Sequence, residues 1–125
     1  GTCVGLWAIT AAVYLSIMGP QGMRDLGETI LRKSAYAKKK LSEIPGVRIL
    51  FQPSTAFQEF VVNFDESGKS VVEINKLLLE QYAIFGGLDL SEHYGLGQSA
   101  LYCVTEKTSQ EQIDRLCSAL KTILV

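Results

Sequence analysis

The chain has 125 residues, a length that holds one domain with a core of modest size. Hydrophobic residues make up 47% and charged residues 20%, the balance of a folded globular chain and not of a disordered one. A formal net charge of -1 excludes a general electrostatic pull toward nucleic acid or anionic membrane, and neither is expected as a partner.

Residues Gly1 to Met18 carry no charge, and Val4, Leu6, Trp7, Ile9, Val13, Leu15 and Ile17 make the stretch apolar on every side. A membrane span is disfavoured, because Thr2, Gly5, Thr10 and Ser16 dilute the run and no Lys or Arg cluster anchors either end. The expected alternative is a helix buried on all faces, which in a small domain needs a neighbour to cover it. No basic region precedes this run, so a signal peptide is not expected. The chain starts with neither Met nor a helix cap, which together with the uncovered helix suggests a piece of a longer protein.

Gly19-Pro20 ends the first helix and opens the second. Met23, Leu26, Ile30, Ala37, Leu41 and Ile44, with Ser34 in series, recur at steps of three and four and predict one face of a long helix. The Lys38–Lys40 run reads as its solvated side. Pro45-Gly46 closes the helix. Val47 to Gln52 alternates as a first strand, and Phe57 to Phe64 reads as a second. Asp65 to Gly68 turns the chain. Ser70-Val71-Val72-Glu73 predicts a capping box and a short helix to about Gln81, burying Val72, Leu77 and Leu78 or their neighbours.

A long loop is then expected from Tyr82 to Ser99, followed by a third strand, Leu101 to Glu106. Thr108 to Glu111 predicts a second capping box. The last helix carries Ile113, Leu116, Cys117, Leu120, Ile123 and Leu124 on one stripe. The order predicts an α+β fold: a two-layer sandwich of a small three-stranded, mostly antiparallel sheet with helices. A helix lies between the second and third strands, as a crossover would require.

The long loop is where function is expected, because loops of that length in compact domains are often functional. It carries Gly86-Gly87 and the single His, His93, beside Tyr94. The glycines allow positive φ or close approach to another surface, and they form no dinucleotide fingerprint. His93 with Cys103 would make a nucleophile and base, but Cys103 sits in an apolar strand and is expected to be inert. Cys3, Cys103 and Cys117 are too few and too far apart for a disulfide framework or metal site. They read as small buried residues in a reducing compartment. The residues therefore predict no catalytic group, no cofactor ligand and no metal ligand.

VYLSIMGPQGMRDL, AYAKKKLSEIPGVRILF, QEFVV, GGLDLSEHY and above all LYCVTEKTSQEQIDRL resemble subunit 1 of the two-subunit glycine dehydrogenase (decarboxylating) family, the P-protein of the glycine cleavage system. The resemblance covers essentially the whole chain. It implies the small C-terminal domain of a fold-type I pyridoxal-phosphate enzyme at residues 20–125, with residues 1–19 the helix linking it to a missing large domain. It further implies an oxidoreductase acting in the cytoplasm. With subunit 2, that enzyme decarboxylates glycine on pyridoxal phosphate and passes the aminomethyl group to the lipoyl arm of the H-protein.

On this resemblance the cofactor-binding Lys belongs to subunit 2, and the chain by itself is inactive and holds no cofactor. Many aminotransferases place a carboxylate-gripping Arg on the strand before the last helix, and spacing puts Cys103 at the rough equivalent. Gly86, Gly87, His93 and Tyr94 are expected toward the substrate channel or a subunit interface. The isolated chain is expected to hide its first helix by self-association. A stand-alone α+β module binding a ligand or a protein is the alternative. The small domain of another pyridoxal-phosphate enzyme, such as a cysteine desulfurase, would keep the fold but lack the pairing of GGLDL with VTEKTSQEQID.

Overall fold

One residue divides the first helix. In the computed structural model, which describes residues 4–54 and 56–124, α1 runs Gly5–Ser42 for 38 residues, with Gly19 at φ 63 and ψ 179. Only glycine adopts such a backbone without strain. Pro20 follows at once, where its missing N–H and fixed φ suit a first helical turn. The two helical stretches of the sequence reading are therefore present, joined at a bend.

The second stretch buries Ile30, Ser34, Ala37 and Leu41 on one stripe, as the spacing predicts, and Ile44 continues it past the helix end. The first stretch is different. Residues 4–17 are exposed throughout, with Leu6 at 81% and Trp7 at 77%. The cover that the sequence demands is not supplied by the described residues, because the sheet and the other helices pack on the second stretch. Among the described residues, no helix is long and apolar enough to cross a membrane. Cys3 lies outside the described residues.

The sheet has four strands in the order β1-β2-β4-β3: β1 (Arg48–Ile49), β2 (Glu59–Asn63), β3 (Leu88–Asp89) and β4 (Ser99–Cys103). Every neighbouring pair is antiparallel. The extra strand, β3, lies inside the stretch expected to be loop, and Leu88 pairs with Leu101. Two residues are too short for alternation to announce them. β1 is shorter than expected because Phe51 turns to φ 60, although Leu50 N–H still donates to Val61 O at 2.9 Å. β4 begins two residues early, where Ser99 pairs with Asn63, and it ends before Glu106.

Three helical pieces cover one face of this sheet. Phe60 and Val62 of β2 with Phe64 just past its end, and Ala100 and Tyr102 of β4 with Val104 just past its end, point into the core. α2 (Val71–Tyr82) adds Val71, Ile74 and Leu78, and α3 (Gln110–Ile123) adds Ile113, Cys117, Ala119, Leu120 and Ile123. Val72, expected inside, is 67% exposed, because the buried stripe runs through Val71, Ile74 and Leu78 at steps of three and four and leaves position 72 on the outer side. The arrangement is the two-layer α+β sandwich read from the element order.

The caps follow the sequence with two changes. Ser70 Oγ accepts from Glu73 N–H at 3.2 Å, but the Glu73 carboxylate turns to Lys69 at 3.8 Å instead of reaching back. At α3 the capping box is Ser109 with Gln112, one residue beyond the predicted Thr108–Glu111 pair. Thr108 Oγ1 is already engaged by Thr105 N–H at 3.2 Å, and a glutamine closes the box as well as a glutamate. Between α1 and α3, the Tyr36 hydroxyl donates to Asp114 Oδ1 at 2.6 Å. Lys33 Nζ donates to Glu106 O at 2.5 Å.

Cys117 is buried as expected, whereas Cys103 is exposed. Side chains alternate along a strand. Tyr102 and Val104 take the core side, so Cys103 falls on the open face opposite Glu59.

Candidate functional site

The stretch from α2 to β4 is held at both ends. Ala83 closes α2 in a left-handed conformation, its N–H directed at Leu78 O and Leu79 O. Next, Gly86 and Gly87 lie wedged between α2 and β4. Neither has a positive φ, so close approach and not backbone freedom is the reason for glycine. A Cβ on Gly86 would sit 1.9 Å from Asn75 Oδ1. A Cβ on Gly87 would sit 2.6 Å from the Tyr102 ring and 2.8 Å from Leu101 O.

Asn75 Nδ2 donates to Gly87 O at 2.9 Å and pins the pair. Among the described residues, its Oδ1 and the Tyr102 hydroxyl are both buried and find no hydrogen-bond partner. Burial pushes the Tyr102 hydroxyl up to about 12, so it stays protonated across the physiological range.

Two hollows flank this pair. One, of about 340 Å³, reaches the core between Leu41, Phe60, Tyr102, Val104 and Leu116. The other, of about 640 Å³, is open and lies against Lys76, Leu79 and Leu88. Phe85 lines both hollows while itself 87% exposed.

His93 and Tyr94 lie elsewhere on the loop, exposed, with ring centroids 6.0 Å apart in an edge-to-face pair. Neither of them lines either hollow beside Gly86 and Gly87. The four residues expected at one mouth thus fall into two groups, a wedge at the sheet edge and a pair at the loop tip. No hydrogen bond joins His93 to Cys103 among the described residues. Burial first, and the Glu59 carboxylate second, push the Cys103 thiol up, away from the reactive thiolate. Among the described residues, no group of three His, Cys, Asp or Glu side chains could hold a metal ion.

The loop returns to the sheet through a polar knot, at residues where the sequence predicts only a turn. The Asp65 carboxylate accepts from Asn63 Nδ2 at 2.8 Å and from Gln98 N–H at 2.7 Å. Gly97, at φ 65, passes so close that a Cβ would meet Asp65 Oδ2 at 2.4 Å. Gln98 Oε1 in turn accepts the Val71 N–H at the start of α2 at 2.9 Å. The spacing Asn63-x-Asp65 before Gly68, together with the later Gly95-x-Gly97, was the available signal. Nothing in the sequence joined the two halves.

The Asn63 and Gln98 hydrogen bonds, in that order, hold the Asp65 carboxylate below its ordinary value of 3.8, with Arg48 adding to the effect. A lowered carboxylate stabilises the fold above its unfolded value, and that contribution is lost as pH falls through the folded one. Acid titration of folding stability should therefore show wild type losing ground relative to Asp65→Asn below 3.8. Parallel curves for the two proteins would show that the knot carries no charge-dependent stability.

Comparison with known proteins gives a consistent result. No family model matches the chain. It is 43% identical over 119 residues to a probable glycine dehydrogenase (decarboxylating) subunit 1 of Thermococcus onnurineus, covering 94% of this chain and 25% of the relative. Relatives of the same name reach 41% in Desulforamulus reducens and 39% in Pyrococcus horikoshii, at 94% and 95% of this chain and 26% and 25% of theirs. The chain spans about a quarter of the length of these relatives.

Among solved structures, a glycine decarboxylase (P-protein) of the glycine cleavage system, in inhibitor-bound form, superposes with a TM-score of 0.80 at 28% identity. The match covers 98% of this chain and 27% of that one. An L-threonine-O-3-phosphate decarboxylase from Porphyromonas gingivalis shares the fold, with a TM-score of 0.68 at 23% identity over 94% of this chain and 33% of that one. By sequence and by backbone, the chain is similar to about a quarter of the length of proteins named glycine dehydrogenase (decarboxylating) subunit 1 and to the matching part of a glycine decarboxylase (P-protein).

Proposed function

We propose that the chain is the small C-terminal domain of a P-protein subunit 1, residues 20–125, preceded by a linking helix, residues 1–19. With subunit 2 it forms an enzyme that decarboxylates glycine and transfers the aminomethyl group to the lipoyl arm of the H-protein, in the cytoplasm. The observation that carries this reading is the 43% identity that runs across 94% of the chain. The bare apolar helix supports it as well, since the remaining three-quarters of such a subunit supplies a body to cover residues 4–17. Separated from that body, the chain covers the helix by self-association.

The cofactor-binding Lys would belong to subunit 2, and none of this chain's lysines is assigned that role. Pyridoxal phosphate, held by the rest of the assembled enzyme, would supply the electron sink for decarboxylation. The part of this chain is to shape the sheet edge at Gly86–Gly87 and the loop tip at His93–Tyr94, toward the substrate channel or the subunit interface.

A chimera tests the proposal. The matching quarter of the Thermococcus onnurineus subunit 1 is replaced by this chain and co-expressed with its subunit 2. Exchange of labelled bicarbonate into the glycine carboxyl group is expected, while this chain by itself shows none. A folded, assembled chimera without exchange, beside an active parent, would overturn the assignment.

A further inference from the structure

We propose that Phe85 is a two-position side chain that swings from solvent into the 340 Å³ hollow beside it and closes that opening to the core. Three observations meet at this residue. Its ring is 87% exposed, which leaves a large apolar group in water. The same residue lines the rim of a hollow whose walls are Leu41, Phe60, Tyr102, Val104 and Leu116. That hollow is larger than the apolar cavity of about 150 Å³ that takes up a benzene ring in an engineered protein core.

The backbone cannot make this move. Gly86 and Gly87 follow directly and are wedged with no room for a Cβ, and Asn75 pins the Gly87 carbonyl. The movement is therefore a rotation of the ring about its own side-chain bonds, which needs no shift of the sheet edge. Strand pairing leaves the space free. β3 covers β4 only at Ala100 and Leu101, so the edge beside Tyr102 and Cys103 has no strand against it.

The two positions differ in what they expose. With the ring out, the hollow is open and Phe85 also faces the neighbouring groove along Leu79 and Leu88. With the ring in, the core is sealed and that groove loses one wall. The proposal concerns this chain taken by itself, without the rest of the proposed subunit.

Nuclear Overhauser spectra of the chain, labelled at methyl groups and at Phe, read the ring position directly. Cross-peaks from the Phe85 ring to Leu41 and Leu116 methyls are expected, and their absence would overturn the proposal. Urea unfolding of Phe85→Ala gives a second reading. A ring that spends most of its time inside predicts a folding equilibrium constant lowered by about tenfold or more, the scale expected for a buried aromatic. A change within about twofold, typical of a surface substitution, would count against it.

Discussion

Truncating Phe64 to alanine is expected to cost about 3–5 kcal/mol of folding stability, the range for deleting a fully buried aromatic side chain. Phe64 is 0% exposed, and it sits where β2 gives way to a single 3₁₀ turn, Asp65–Ser67. Its backbone N–H donates to Gln98 O at 2.7 Å, so the ring and the main chain together tie the strand exit to the returning loop. The cavity left by the ring would open beneath both. Against a total stability of about 5–15 kcal/mol for a domain of ordinary kind, the variant approaches the edge of folding. Urea denaturation measures the difference, and a loss below about 1 kcal/mol would mean that the ring is not a core element at all.

Gly87→Ala is the second large effect, expected at about 1–3 kcal/mol from overpacking. The added methyl meets the Tyr102 ring and the Leu101 carbonyl at once. The carbonyl belongs to β4, which is paired on both sides at Leu101 and cannot yield without disturbing two strands. Gly68→Ala is the control: its Cβ would meet nothing within 4 Å, so only the backbone strain of φ 72 remains. Thermal unfolding should rank Gly87→Ala as the less stable of the two. The reverse order would mean that the sheet edge tolerates a side chain there. In the chimeric enzyme, the same substitution separates a shaping role from a mere turn, since a shifted edge would alter glycine exchange in protein that still folds.

What the sequence made legible depended on the length over which a pattern repeats. The long helix announced itself through Ile30, Ser34, Ala37 and Leu41, and α3 through Ile113, Cys117, Leu120 and Ile123, because several turns of one stripe cannot arise easily by chance. β3 has two residues and no period, so it stayed hidden in a loop. The caps were located to within one residue, and the error at Ser109 came from preferring Glu111 where Gln112 does the same work.

Burial of Cys103 was misjudged because composition says that a stretch is apolar, while the face depends on which residue of the pair starts the alternation. The site was read less well than the fold. Gly86 and Gly87 stood out as a pair, but their reason, the nearness of Asn75 and Tyr102, joins residues distant in the chain. Asp65 holds Gln98 from 33 positions away, and no local rule reports such a bond.

The bend at Gly19 ties the direction of the leading helix to one residue type. A Cβ there would touch nothing within 4 Å, so space is not what demands glycine; the backbone at φ 63 is. Any side chain at that position would strain the corner, and with it the angle at which the exposed apolar helix leaves the folded body.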